Sequence, residues 1–158
     1  MSQLQIYFLR LLLFLFLQSF IFNQLEISPS IHVMIDPLYI FLLPFDRSIL
    51  SLLLIALVLG VSIDATSNTF GLHTSSLLLF AYLRPIVFRV FSPRDGYDSL
   101  KSPSIFDMGN RWFISTFSIL LFSHHLWFFI LEAFSFSETL LILQKTILSG
   151  VISFVVCV

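Results

Sequence analysis

Charged side chains are scarce in this sequence. Asp, Glu, Lys and Arg make up 11% of its 158 residues, against about 25% in soluble domains, whereas hydrophobic residues make up 58%. The mean hydropathy of +0.99 and the 20 phenylalanines point the same way. A soluble fold of this length needs more polar surface than this composition supplies. The scarcity of charge therefore predicts an integral membrane protein.

Other scarce features exclude whole classes of function. The single cysteine, Cys157, cannot form an intrachain disulfide and has no metal-ligand spacing. The net charge of −1 gives no reason to expect nucleic acid as a partner. Neither HExxH, CxxC, His-x-x-x-His nor G-x-S-x-G is present, and the serines after Thr74 are better interpreted as interhelical hydrogen-bond donors. We therefore expect no catalytic residue, no metal, no cofactor and no enzymatic activity.

Paired histidines at His124 and His125 raise the question of a metal site. Adjacent helical residues point about 100° apart, so the two rings do not readily face one ion. His73 would have to complete such a site across helices, and we consider this the weaker alternative. We expect one of the two adjacent histidines to face lipid headgroups or a neighbouring helix.

Six apolar segments follow one another along a single membrane domain, residues 1–158. They cover residues 4–22, 31–45, 48–63, 70–91, 112–131 and 139–158. A spanning helix needs about 20 residues, so the second segment is short, and Asp36-Pro37 and Pro44 interrupt it. It is a short, tilted or broken span, or a re-entrant segment. The pattern predicts an all-α polytopic fold with six transmembrane helices, the second short or broken.

The basic residues predict the orientation of the chain. Five of the eight flank or occupy the polar loop at residues 92–110, which is therefore expected in the cytoplasm: Arg84, Arg89, Arg94, Lys101 and Arg111. The loops at residues 23–30, 64–69 and 132–137 are then external. Six crossings place both termini in the cytoplasm, whereas five would leave Arg10 on the wrong side.

A polar seam joins the third and fourth segments. Ala56, Gly60 and Asp64 are spaced by four residues, which puts small side chains and an acid on one helix face and favours close helix packing. Asn68, Gly71 and His73 follow and complete the predicted packing or partner-binding seam.

Three local predictions accompany the seam. The polar run Thr66–Thr69 offers N-caps for the fourth helix, and Pro85 is expected to kink or end it. Lys145, about 9 Å inside the last helix, is expected to snorkel or to pair with Asp64, Glu132 or Glu138. Asp64 is the favoured partner for an intramembrane ion pair.

These motifs resemble the rod shape-determining protein MreD family. The resemblance is carried by Gly60-Val-Ser-Ile-Asp64, by Asn68-Thr-Phe-Gly71-Leu-His73, and by a helix that ends in Arg84-Pro85. The element bounded by Pro37 and Pro44 matches the family's proline-flanked segment. Length, helix count and orientation agree over nearly the whole chain, although family members usually carry a short polar tail.

The resemblance implies a multi-pass protein of the bacterial cytoplasmic membrane, similar in fold to the substrate-binding subunits of energy-coupling-factor transporters. It also implies a non-enzymatic scaffold of the cell-elongation machinery that makes peptidoglycan. Its direct partner would be an MreC-like protein, and through it the RodA glycosyltransferase, a class B penicillin-binding protein and MreB, with lipids around it. The alternative is a solute-binding membrane subunit or small transporter that uses the same seam as a pocket, with Asp64, Asn68 and His73 as contacts.

Overall fold

The described part of the chain is all-helical. The computed structural model describes residues 3–25, 31–98, 101–134 and 138–158. Within these ranges the helices are α1 (Gln3–Phe16), α2 (Asp36–Phe41), α3 (Ile49–Ser67), α4 (Leu72–Val90), α5 (Ile105–Met108), α6 (Asn110–Ala133) and α7 (Thr139–Cys157). A π-helical turn, Leu17–Ile21, and a 3-10 turn, Phe22–Gln24, extend α1.

Four helical stretches of the described residues are long and apolar enough to cross a membrane. They are Gln5–Gln24, Ile49–Ser67, Asn110–Ala133 and Thr139–Cys157. Helix α4 is as long as α3, 19 residues, but it is more polar and includes His73, Arg84 and Arg89. The composition and these four helices agree with the predicted helical membrane protein.

The predicted second span is broken in the structure. Residues 32–35 have no regular secondary structure, and the six-residue α2 follows, with Pro37 in its first turn. Side chains bond the backbone of the non-helical stretch: Gln18 Oε1 accepts from Ile35 N at 2.8 Å, and Ser153 Oγ from Met34 N at 3.0 Å. Irregular backbone is tolerated at membrane depth only where protein satisfies it in this way.

A buried glutamine, Gln18, lies in the π-helical turn after α1. Its side chain is fully buried and donates to Val33 O at 3.1 Å, besides accepting from Ile35 N. π-Helical turns often mark functional sites and redirect a side chain. Here the turn coincides with the residue that holds the broken segment against α1.

The helix bundle has two ends, which contacts between its elements distinguish. At the first, called the Asp64 end, α3 stops, α4 begins and Lys145 of α7 meets Glu132 of α6. At the second, the Arg84 end, Trp112 at the start of α6 donates to Phe91 O beyond α4. The broken segment also joins the two ends.

Contacts at both termini of the broken segment show that it runs from one end of the bundle to the other. His32 lies 3.8 Å from Glu132 at the Asp64 end, and the carbonyl of Phe41 accepts from Arg84 at the other end.

An aromatic cluster closes the Arg84 end. The Phe41 ring is fully buried and its centroid lies 5.1–5.9 Å from those of Phe88, Trp112, Phe113 and Phe117. Buried aromatic rings contribute large apolar area, and edge-to-face pairs add about 0.5–1.5 kcal/mol beyond it. The abundant phenylalanine therefore forms core here as well as lipid-facing surface.

Two of the predicted helix limits differ from the structure. Helix α3 continues to Ser67, so Thr66 and Ser67 lie inside it and cap nothing in α4. Gly71, with a φ of 94°, takes the N-cap position of α4, without a side-chain cap of its own. Helix α4 passes through Pro85 and ends at Val90, so the proline does not terminate it. Residues 26–30 of the predicted external loop lie outside the described residues.

Candidate functional site

Close backbone contact between α3 and α4 forms the predicted seam. A Cβ atom at Gly60 would lie 2.5 Å from Thr74 Cα and 3.0 Å from Thr74 N, a distance that no side chain tolerates without backbone movement. Ala56 on the same face is fully buried. The small residues therefore allow the two helices to approach, as the four-residue spacing predicts.

Asp64 bonds the first turn of α4 from the neighbouring helix. Its Oδ1 accepts from the His73 amide at 3.1 Å and from the Thr69 hydroxyl at 2.5 Å. Its Oδ2 accepts from the Thr74 amide at 2.9 Å and from the Thr74 hydroxyl at 2.5 Å. A carboxylate at this position satisfies amides left free at a helix start and interacts favourably with the helix dipole.

The turn between α3 and α4 is the exposed part of the seam. Asn68 is exposed and ends α3 with a φ of 57°, while Gly71 is half-buried. A depression of about 370 Å³ beside them opens to the outside of the bundle and includes Asp64 and Thr74 in its lining. Four of the six predicted seam residues are thus buried, and the other two form the turn: buried are Ala56, Gly60, Asp64 and His73.

The predicted ion pair between Asp64 and Lys145 is wrong. Lys145 Nζ lies 2.8 Å from Glu132 Oε2, and the four hydrogen bonds of Asp64 come from Thr69, His73 and Thr74. Glu132 was among the partners that the sequence left open. The physical reason for the difference is geometric, because α6 and α7 pack together and bring Glu132 to Lys145, while α3 turns its acid toward α4.

A second polar cluster lies inside the bundle. Asp36 of α2 is fully buried, as is His124 of α6, and His73 of α4 is 2% exposed. Asp36 Oδ2 lies 3.5 Å from His73 Nδ1 and 3.9 Å from His124 Nε2. Both carboxylate oxygens, His73 Nδ1 and both ring nitrogens of His124 have no hydrogen-bond partner. Because buried polar groups are nearly always hydrogen-bonded, this cluster is unusual.

Both adjacent histidines are buried, so neither faces lipid headgroups. The other alternative, contact with a neighbouring helix, is the one that the structure shows. The His125 ring bonds Leu121 O of its own helix at 2.9 Å and Ser153 Oγ of α7 at 3.1 Å. His124 points to Asp36 instead, 3.9 Å away. The two rings thus diverge, as helical geometry requires, and only His124 joins the cluster.

Arg84, one of the basic residues that flank the predicted cytoplasmic loop, is buried inside the bundle. Its side chain is 1% exposed. Its guanidinium donates to the carbonyls of Phe41, Leu43 and Pro44, where α2 ends, and lies 4.5 Å from the centre of the Phe88 ring. One planar donor group therefore satisfies the carbonyls that a short helix leaves free.

The interhelical role predicted for the serines of α4 is present at one position. Ser75 Oγ accepts from Trp127 Nε1 of α6 at 2.8 Å, whereas Ser76 donates to Leu72 O of its own helix. Thr74 bonds Asp64 of α3, as described above. In the part of the chain that the structure describes, no group of three or more His, Cys, Asp or Glu side chains has metal-site geometry.

The described part of the predicted loop, residues 92–98 and 101–110, is held at the Arg84 end. Tyr97 donates to Phe88 O at 2.6 Å and accepts from Trp112 Nε1 at 3.1 Å, and burial raises the pKa of its phenol. Asp107 accepts from the Ser102 hydroxyl at 2.5 Å, which holds the pKa of its carboxyl below the usual value. Tyr97 therefore anchors the loop, which contains α5, while most of its described residues are exposed.

A groove at the same end lies between α1, the broken segment and the loop that contains α5, from which Ser102 and Asp107 line it. Its volume is about 530 Å³, and Leu13, Phe14 and Leu42 form its apolar lining. Arg10 lies at its edge and is exposed. The stretch Gln5–Gln24, which includes most of α1, is also the least enclosed of the four apolar stretches, with 11% buried against 28–44% for the others.

Comparison with protein-family models, curated proteins and solved structures finds no match to this chain.

Proposed function

We propose that this chain is a non-enzymatic membrane scaffold that resembles MreD, with an MreC-like protein as its direct partner in the bacterial cell-elongation machinery. It would sit in the cytoplasmic membrane with six crossings, both termini and the Arg84 end in the cytoplasm, and the Asp64 end outside. Through MreC it would meet the RodA glycosyltransferase, a class B penicillin-binding protein and MreB.

The packed seam is the observation that carries this proposal. Gly60 leaves no space against Thr74, and both carboxylate oxygens of Asp64 already accept hydrogen bonds from the protein. A solute pocket needs free polar groups that converge on an enclosed cavity of about 300 Å³ or more. The depression at the seam is open instead, so this stretch acts as a joint between helices.

Helix α1 supplies the surface that a partner would cover. Large apolar side chains such as Phe8, Leu12, Leu13 and Phe16 are exposed by 43–59% along it. The groove beside Leu13 and Phe14 gives that surface a concave part into which side chains of a single partner helix fit. In lipid, helices associate through such packing, because the hydrophobic effect does not favour protein over acyl chains.

Co-purification with the MreC-like partner tests this face with a matched pair of variants. Leu13 on α1 and Leu54 on α3 are both 53% exposed, so tryptophan at either position adds the same bulk to the membrane-facing surface. Leu13→Trp should reduce partner recovery at least tenfold, and Leu54→Trp should match the wild type. Equal recovery with both variants would contradict the proposed face. Unchanged melting temperatures would show that neither variant acts through misfolding.

The buried cluster of Asp36, His73 and His124 favours the alternative, a solute-binding subunit or small transporter. Its unpartnered polar atoms are the kind that a bound solute would satisfy. Among the described residues, the linings of the groove beside α1 and of the depression at the seam do not include these three side chains. A solute that raises the melting temperature of the wild type but not of Asp36→Asn would support this alternative.

A further inference from the structure

We propose that Asp36, His73 and His124 form a buried proton-binding site, in which His73 carries the proton as an imidazolium beside the Asp36 carboxylate. This inference goes beyond the scaffold function and does not depend on it. The site joins three elements, the broken segment before and in α2, α4 and α6. Its ligand is a single proton.

The charge balance of the cluster leads to this assignment. A carboxylate that is buried in an apolar interior without a partner is strongly destabilising, and so is the removal of one partner from a buried pair. Asp36 is fully buried and accepts no hydrogen bond from the protein. With both imidazoles neutral the cluster has a net charge of −1, and with one proton added it is neutral. The neutral state is the one that the interior of a membrane protein tolerates.

Distance places the proton on His73. Its Nδ1 is the nearer of the two ring nitrogens, 3.5 Å from Asp36 Oδ2 against 3.9 Å for His124 Nε2. Small movements bring an imidazolium N–H within hydrogen-bond distance of this oxygen, about 2.7–2.9 Å for charged pairs. His124 then contributes a neutral ring that can donate to the same carboxylate.

The start of α4 disfavours a positive charge on His73 because of the helix dipole, and the carboxylate of Asp64 offsets this effect. His73 is the second residue of α4, where the helix dipole contributes about half a positive charge. Asp64 accepts from the His73 amide at 3.1 Å, so its carboxylate lies at the same helix start. Two carboxylates, one on each side of His73, therefore offset the dipole.

Apolar side chains separate the cluster from the Arg84 end. Phe80, Ile40 and Phe117 are fully buried between them. His73 and the first turn of α4 lie at the Asp64 end, which the proposed orientation places outside the cell.

Other titratable groups surround the site and belong to any account of its charge. Asp64 reaches it from α3 and His125 from α6, His32 precedes α2, and Glu132 pairs with Lys145 at the Asp64 end. Arg84 bonds the far end of α2, and Cys157 of α7 is near enough to interact electrostatically with Asp36.

The site can be tested by nitrogen-15 NMR of the full chain in lipid nanodiscs, with the label in its four histidines. The spectra, recorded between pH 5 and pH 9, report which ring nitrogens carry a proton. At pH 7 the wild type should show one buried imidazolium with both ring nitrogens protonated. His73→Gln should abolish this signal, and Asp36→Asn should convert it to a neutral imidazole. His32→Gln is the control, because His32 is exposed and its Nε2 lies 3.8 Å from Glu132 Oε1; it should leave the signal intact.

Two outcomes would overturn the proposal. One is an unchanged imidazolium signal in folded Asp36→Asn, which would separate the proton from the carboxylate. The other is a stoichiometric transition metal in the purified wild type that is lost in His124→Gln, which would replace the proton by a metal ion. Should Asp36→Asn fail to fold, the wild type still decides, because four neutral histidines at pH 6–7 contradict the assignment.

Discussion

The substitution Gly60→Ala tests the close contact between α3 and α4. It has two effects on stability with opposite signs, a gain in helix propensity and a steric conflict with Thr74. Helix propensity alone favours alanine over glycine by about 1 kcal/mol in a helix interior. The structure places the added Cβ atom 2.5 Å from Thr74 Cα, however, and α4 must move to accept it. Overpacking of this kind costs about 1–3 kcal/mol. With the middle of that range less the gain in helix propensity, we expect Gly60→Ala to destabilise the protein by about 1 kcal/mol.

Gly150 supplies a matched control on another helix. A Cβ atom there would lie 2.6 Å from Cε1 of Phe122, which is a side-chain atom that can rotate away. Gly150→Ala should therefore be nearly neutral, and Phe122→Leu should remove any residual cost. Thr74→Ser should not rescue Gly60→Ala, because the obstacle there is backbone and the serine keeps the hydroxyl.

Unfolding in mixed micelles, followed by circular dichroism as the fraction of SDS rises, measures these differences. A change of 1.4 kcal/mol is a tenfold change in the folding equilibrium. Stability of Gly60→Ala equal to or above that of the wild type would refute the proposed contact between α3 and α4. Rescue by Thr74→Ser would show that the conflict lies with the side chain.

The same unfolding assay tests three further contacts. Asp64→Ala removes four hydrogen bonds at the start of α4 and should cost about 2–4 kcal/mol, with Asp64→Asn intermediate; a cost below 0.5 kcal/mol would exclude the capping role. Arg84→Met should lower the free energy of unfolding by about 2 kcal/mol, because it leaves the buried carbonyls of Phe41 and Leu43 unpaired. An unchanged free energy of unfolding would mean that removal of the buried charge offsets the loss of these hydrogen bonds. Lys145→Glu should be rescued by Glu132→Lys within about 1 kcal/mol, and rescue by Asp64→Lys instead would restore the pair that the structure excludes.

Local spacing was enough to predict the joint between α3 and α4. Ala56, Gly60 and Asp64 repeat every four residues, which is a property of one helix and needs no knowledge of its neighbours. The break in the second segment was predictable for a similar reason, because Asp36-Pro37 interrupts an apolar run too short to span. The structure shows that break as a non-helical stretch followed by six helical residues.

The long-range contacts were not predictable from spacing. Asp36, His73 and His124 lie on three separate elements, and only their packing brings them within 4 Å. The burial of Arg84 was not predictable either, because the charge rule for loops does not distinguish an exposed basic residue near a helix end from one that bonds buried carbonyls. One signal was available: ionisable residues inside apolar segments are functional candidates by default, and Asp36 is one.

Site-specific crosslinking in native membranes tests the scaffold function most directly. A photo-crosslinking residue at position 13 of α1 should capture the MreC-like partner, and the same residue at the equally exposed position 54 of α3 should not. Capture at position 13 alone is the result that the proposed function predicts. Absence of the partner from position 13, with the protein present and folded in the membrane, would contradict the proposed partner-binding face.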